Sequence, residues 1–186
     1  AAASATVSGT SVGLSVLGAD DGGEANLTYT WSSSGPAPVT FSANGSNAAK
    51  SATATFSRAG SYTFTATLKD AQGSTATSAV TVTVAQSVAQ LAVTPASATE
   101  LASQSQPFAA SAVDQFAQAM SPAPAVTWSV SGGGTITRAG AFTAGAAAGG
   151  PFTVTASAGG KSGTAQVTVS AGNQAPTLAT PAAAAP

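Results

Sequence analysis

Leu27-Thr28-Tyr29-Thr30-Trp31, answered further along by Ser61-Tyr62-Thr63-Phe64, decides how this chain folds. The same pairing recurs as Val126-Thr127-Trp128-Ser129-Val130 and Pro151-Phe152-Thr153-Val154. In both, large apolar residues alternate with small or polar ones, the period of a strand with one buried face. A Trp strand joined to a later aromatic strand belongs to the centre of a β-sandwich. Two such pairs in series predict two sandwiches in tandem.

Outward from these strands the alternation continues. Val12, Leu14 and Val16 precede the first Trp strand. Val39 with Phe41, and Ala52, Ala54 with Phe56, follow it, and Val80, Val82 and Val84 close the block. Asp21-Gly22-Gly23, Gly35-Pro36, Asn44-Gly45, Ala59-Gly60 and Gln72-Gly73 supply the turns between strands. With a short lead strand near Thr6-Val7 this makes seven strands, the count of an immunoglobulin-like sandwich. The second block repeats the scheme: Leu91 and Val93, then Phe108, Ala110 and Ala112, the Trp128 strand, Ile136 and Phe142 about a turn, Phe152 to Ala156, and Ala165 to Val169. No helical stripe interrupts either block. The fold class expected is all-β, two tandem sandwiches of about seven antiparallel strands each, over residues 1–86 and 87–171. Residues 172–186 form an Ala/Pro-rich linker that reads as the lead-in to a further repeat. The join from Ala85 to Gln90 holds neither Gly nor Pro and favours limited hinge motion over a loose tether.

Composition narrows the chemistry. Of 186 residues only 6% are charged, against roughly 25% in an ordinary globular protein. A net charge of −1 gives no electrostatic footprint for nucleic acid. There is no His and no Cys, which removes the usual general base, the Ser-His-Asp triad, disulfides and thiolate metal sites. Ser-Lys pairs exist at Lys50-Ser51 and Lys161-Ser162, at strand edges with no sign of a desolvating pocket. No apolar run approaches the ~20 residues that span a bilayer. The N-terminus, Ala1-Ala2-Ala3-Ser4, lacks the basic and apolar segments of a signal peptide. No catalytic residue is assigned.

Two resemblances follow from residues already quoted. Ser15 to Glu24, Leu27 to Trp31 and Ala59-Gly60-Ser61-Tyr62-Thr63-Phe64 resemble the PKD-like and cadherin-like repeats of bacterial surface proteins. After Trp31 the chain reads Ser32-Ser33-Ser34-Gly35 where PKD repeats carry an acidic run. Val93-Thr94-Pro95, Val126 to Ser129, Gly140 to Ala144 and Thr153 to Ala156 resemble the group-two bacterial immunoglobulin-like domains of intimin- and invasin-type proteins. The likeness implies stalks, spacers and some ligand-binding modules, and fold does not fix which.

Asp20, Asp21 and Glu24 fall in the loop before the first Trp strand and Asp70 in the loop before the last strand, at one end of such a sandwich. Their plain reading is turn chemistry. Their functional reading is calcium, which takes six to eight oxygen ligands and which the cadherin-like resemblance implies near domain ends. Asp114 is expected as a turn residue. Phe116 and Met120, unexplained by alternation, are expected to fold over a core or touch a neighbouring domain. Trp31 and Trp128 are expected in the cores rather than as sugar platforms. Tyr62 is a candidate tyrosine corner, and Phe152, its counterpart, has no hydroxyl. A Lys–Asn isopeptide bond would need a buried Lys50 or Lys69, which nothing in the sequence marks. Asn26-Leu27-Thr28 and Asn44-Gly45-Ser46 match the glycosylation pattern.

These readings converge on a non-catalytic structural or adhesive spacer of a large secreted or cell-surface bacterial protein. Strands of about eight residues at ~3.3 Å each give a core ~25 Å long per repeat. The alternative is a calcium-stabilised or carbohydrate-binding accessory module of a secreted enzyme. Partners would be neighbouring repeats, a surface glycan or protein ligand, or laterally associated copies, with no nucleic acid and no membrane span.

Overall fold

The computed structural model describes residues 4–172, so the Ala/Pro-rich lead-in expected at the end lies, from residue 173, outside the described residues. Those residues form sixteen strands and two short 3-10 turns, and among them no helix is long and apolar enough to cross a membrane. They gather into two compact units. One takes the chain up to Ala89 together with Ala112–Ala123, and the other takes Gln90–Ser111 and the chain from Pro124 on.

Seven strands build the first unit: β1 (Ala5–Val7), β2 (Ser11–Ser15), β3 (Thr28–Ser34), β4 (Thr40–Phe41), β5 (Ser51–Thr55), β6 (Gly60–Lys69) and β7 (Thr75–Val84). They form sheets of order β1-β7-β6-β3 and β2-β5-β4. Alternation chose the inward set: Tyr29 and Trp31 from β3, Tyr62, Phe64 and Ala66 from β6, Val82 and Val84 from β7, with Leu14, Ala52 and Ala54 opposite, are all buried. Trp31 faces Ala66 in the β3–β6 register, so a small side chain leaves room for the indole. Phe56 joins Tyr62 at a 4.8 Å ring separation, and Phe41 meets Phe64 edge-on at 6.0 Å, geometries that add to area burial.

The outward positions of the same strands are hydroxyls. Thr30, Thr67 and Thr77 stand in one cross-strand row, and Ser34, Thr63 and Thr81 in another. Threonine suits an exposed pleated surface because its branched Cβ favours extended backbone.

The second unit is built mainly from β8 (Val88–Thr94), β9 (Ser97–Leu101), β10 (Ser105–Pro107), β11 (Ala109–Asp114), β12 (Thr127–Val130), β13 (Gly134–Ile136), β14 (Ala141–Ala144), β15 (Gly149–Ala158) and β16 (Lys161–Ser170). The sheets run β9-β16-β15-β12, β10-β14-β13 and β8-β11. Buried Phe108 sits where the chain leaves β10 for β11, and Phe142, Val154, Val167 and Val169 are buried in the same unit. Hydroxyl rows recur outside, as in Ser129, Thr155 and Thr164.

Trp128 corrects an expectation. It is only half-buried, whereas Trp31 is 5% exposed. β12 is a four-residue edge strand bonded only to β15. With no strand on its other side, β12 leaves one flank of the indole uncovered, and the ring lies beside Gly140 at the turn before β14.

Candidate functional site

Each sequence-flagged acid has a partner or a position that explains it. Glu24 lies on the 3-10 turn Glu24–Asn26, and Asn47 and Lys50 lie on the turn Asn47–Lys50. The Lys50 ammonium donates to Glu24 Oε2 at 3.0 Å and Oε1 at 3.2 Å, and to Asn47 Oδ1 at 3.2 Å. The Tyr29 hydroxyl donates to Glu24 Oε1 at 3.0 Å and accepts from Gly18 N–H. Asn47 Nδ2 donates to the Glu24 and Leu27 carbonyls and to Glu24 Oε1. Glu24 is thus the hub of a lock that ties the loop before β3 to the one before β5. The hydrogen bonds from Lys50 above all, with those from Tyr29 and Asn47, hold its carboxyl below the ordinary glutamate range despite some desolvation. Lys50 and Asn47 meet beside a carboxylate, but Lys50 is half-exposed in an ion pair and not buried as an isopeptide bond would need.

Asp20 Oδ2 accepts from Gly22 N–H at 3.1 Å, and Asp70 Oδ1 accepts from Ser74 N–H at 2.7 Å. Both are turn-capping bonds of the kind Asp makes. Burial raises the Asp70 carboxyl, and the bonds from Ser74, Gly73 and Gln72 more than offset that, leaving it lowered. Asp21 is exposed. Asp20 and Asp70 line one cleft floored by Leu27 and Leu68, as the shared end of the sandwich requires. Glu24 points instead to Lys50. Among the described residues no three His, Cys, Asp or Glu side chains converge as a metal group would need.

Tyr62 donates from its hydroxyl to the Arg58 carbonyl at 2.8 Å, closing the corner foreseen for it. Burial holds its phenol above the usual value, with the charge of Arg58 opposing in part. Tyr62→Phe is expected to cost the first unit about 1 kcal/mol in urea denaturation, the net worth of one hydrogen bond. The counterpart Phe152 manages without a hydroxyl by lying against backbone: a Cβ at Gly133 (φ 74°) would sit 2.2 Å from its ring. Only glycine takes that backbone angle and leaves that space.

Sequence reasoning marked Asn26 and Asn44 only as glycosylation-pattern residues and gave the carboxamides no structural part. Asn44 Oδ1 accepts from Trp31 N–H at 2.7 Å and its Nδ2 donates to the Trp31 carbonyl at 2.9 Å, so one side chain acts as a further strand along the edge of β3. The nitrogen that a glycosylation signal would offer is already committed. Asn26 Nδ2 likewise donates to the Gly22 carbonyl. Asp114, expected as a turn residue, is one and is also 1% exposed, accepting from Phe116 and Gln118 N–H groups and from Gln86 Nε2. Phe116 packs against the first core. No periodicity announces the Asn44 bonds, because they join a side-chain amide to backbone thirteen residues away.

Residues 1–84 match the family model described as K319L-like, PKD domain. No curated protein matches the sequence as a relative. Among solved structures, this chain is similar to Drosophila N-cadherin EC1-4 (18% identity, TM-score 0.59, covering 80% of this chain and 41% of that one). It is also similar to protocadherin gamma B2 extracellular cadherin domains 3-6 (15%, 0.57, 92% and 49%) and to the protocadherin gamma B4 extracellular domain (18%, 0.53, 91% and 33%). The chain therefore spans less than half of each of these. At such identities the likeness concerns the fold.

Proposed function

We propose, from the match of residues 1–84 to a PKD-domain family model, that this chain is a non-catalytic structural or adhesive spacer within a secreted or cell-surface bacterial repeat protein. One observation carries the reading: bulky groups go into two cores while the outward sheet positions form rows of Thr and Ser with almost no charge. Such walls offer little to a polar small-molecule substrate and little charge repulsion to another copy of themselves, which favours lateral self-association and contact with neighbouring repeats as the partners. The group-two bacterial likeness of the second block supports the same class of protein.

A calcium-stabilised module is the second reading, favoured by Asp20 and Asp70 lining one cleft. Calorimetry of the chain with calcium, then with chelator, separates the two. The spacer reading expects the same melting temperature in both. A rise of several degrees with calcium, lost in the Asp20→Asn, Asp70→Asn double variant, would establish the metal module in its place. Sedimentation over a concentration series then tests lateral association, and a single monomeric species throughout would remove that part of the proposal.

A further inference from the structure

Within the first unit, the chain leaving β7 is gripped from the side by residues far ahead of it. Gln115 lies along this backbone: its Nε2 donates to the Ala85 carbonyl at 2.8 Å, and its Oε1 accepts from Ser87 N–H at 2.8 Å and from the Ser87 hydroxyl at 3.1 Å. A carboxamide carries the same donor and acceptor as a peptide group, so Gln115 does over one residue pair what an adjacent strand would do. Gln86 reaches the opposite way, donating from Nε2 to Asp114 Oδ2 at 2.9 Å and accepting from Ser121 N–H at 3.2 Å. The segment is itself closed by Met120 N–H bonding the Ala112 carbonyl and by the Val113–Ala119 bridge.

We infer that Ala112–Ala123 is a clasp belonging to the first unit, in which Gln115 and Gln86 are the two positioning residues that lock Ala85–Ser87. The PKD family match ends at residue 84, so the clasp is an addition to the repeat. β7 does not fray from its C-terminal end while the clasp is shut, because Ala85 is held on one side by Val7, whose carbonyl accepts its N–H, and on the other by Gln115. This holds whether the chain serves as spacer or as ligand module.

Hydrogen exchange on the whole chain tests it. In the wild-type chain the amides of Ser87 and Ser121 are protected. Gln115→Ala lowers protection at Ser87 by about tenfold or more, the effect of losing a buried-edge hydrogen bond. Gln86→Ala does the same at Ser121, and unchanged exchange at Phe64 certifies that both variants remain folded. Should Ser87 exchange at the rate of an open peptide in the wild-type chain, or keep its protection in folded Gln115→Ala, the clasp does not exist.

Discussion

Trp31→Ala is expected to destabilise the first unit by about 3–5 kcal/mol, and Trp128→Ala to cost the second unit roughly half of that. Trp31 is 5% exposed, faces Ala66 across the β3–β6 register, and donates its indole N–H to the Ala49 carbonyl at 2.7 Å inside the core. Alanine there leaves a cavity between two sheets and an unpaired buried carbonyl, two separate penalties. Trp128 is half-buried on a short edge strand, so part of its surface never left water and its removal opens the rim more than the centre. Exchange at Phe64 reads the first unit and exchange at Val167 the second. Equal losses in the two variants would overturn the distinction drawn between the indoles.

That distinction marks where the sequence stopped being informative. Alternation places a side chain on the inner face of a strand, and it did so for Tyr29, Trp31, Tyr62 and Phe64, all buried. It says nothing of where a strand stands in its sheet, and Trp128 lies on an edge strand bonded only to β15. Turn chemistry correctly assigned Asp20, Asp70 and Asp114 to turns, since an Asp that caps its own loop needs only local partners. Glu24 was less legible. Its partner Lys50 lies in another loop, and nothing short of the folded chain brings the two together. The carboxamides were least legible of all. Asn44 and Gln115 substitute for strand pairing beside β3 and Ala85–Ser87, Gln86 bridges Asp114 and Ser121, and a single polar residue in a loop leaves no periodic trace.

Asp114 is where these polar substitutions meet the core, and its removal is expected to cost about 2–4 kcal/mol. Burial disfavours its charge, but the Gln86 amide and the Gln118 and Phe116 N–H groups together hold its carboxyl below the ordinary aspartate range. A carboxyl depressed by folding contributes stability that is fully present above its unfolded value and is lost as pH falls through the folded one. The wild-type chain should therefore lose stability on acidification below about pH 4, and Asp114→Ala should lose less over the same interval because it starts without that contribution. Asp114→Asn does not rescue the site. Its single oxygen can serve either the two backbone N–H groups or Gln86, and its NH2 then confronts a donor on the other side. Urea denaturation at pH 7 and at pH 3 measures both effects. Asp114→Asn with wild-type stability at pH 7 would mean that the carboxylate is an ordinary turn cap and that Gln86 holds nothing through it.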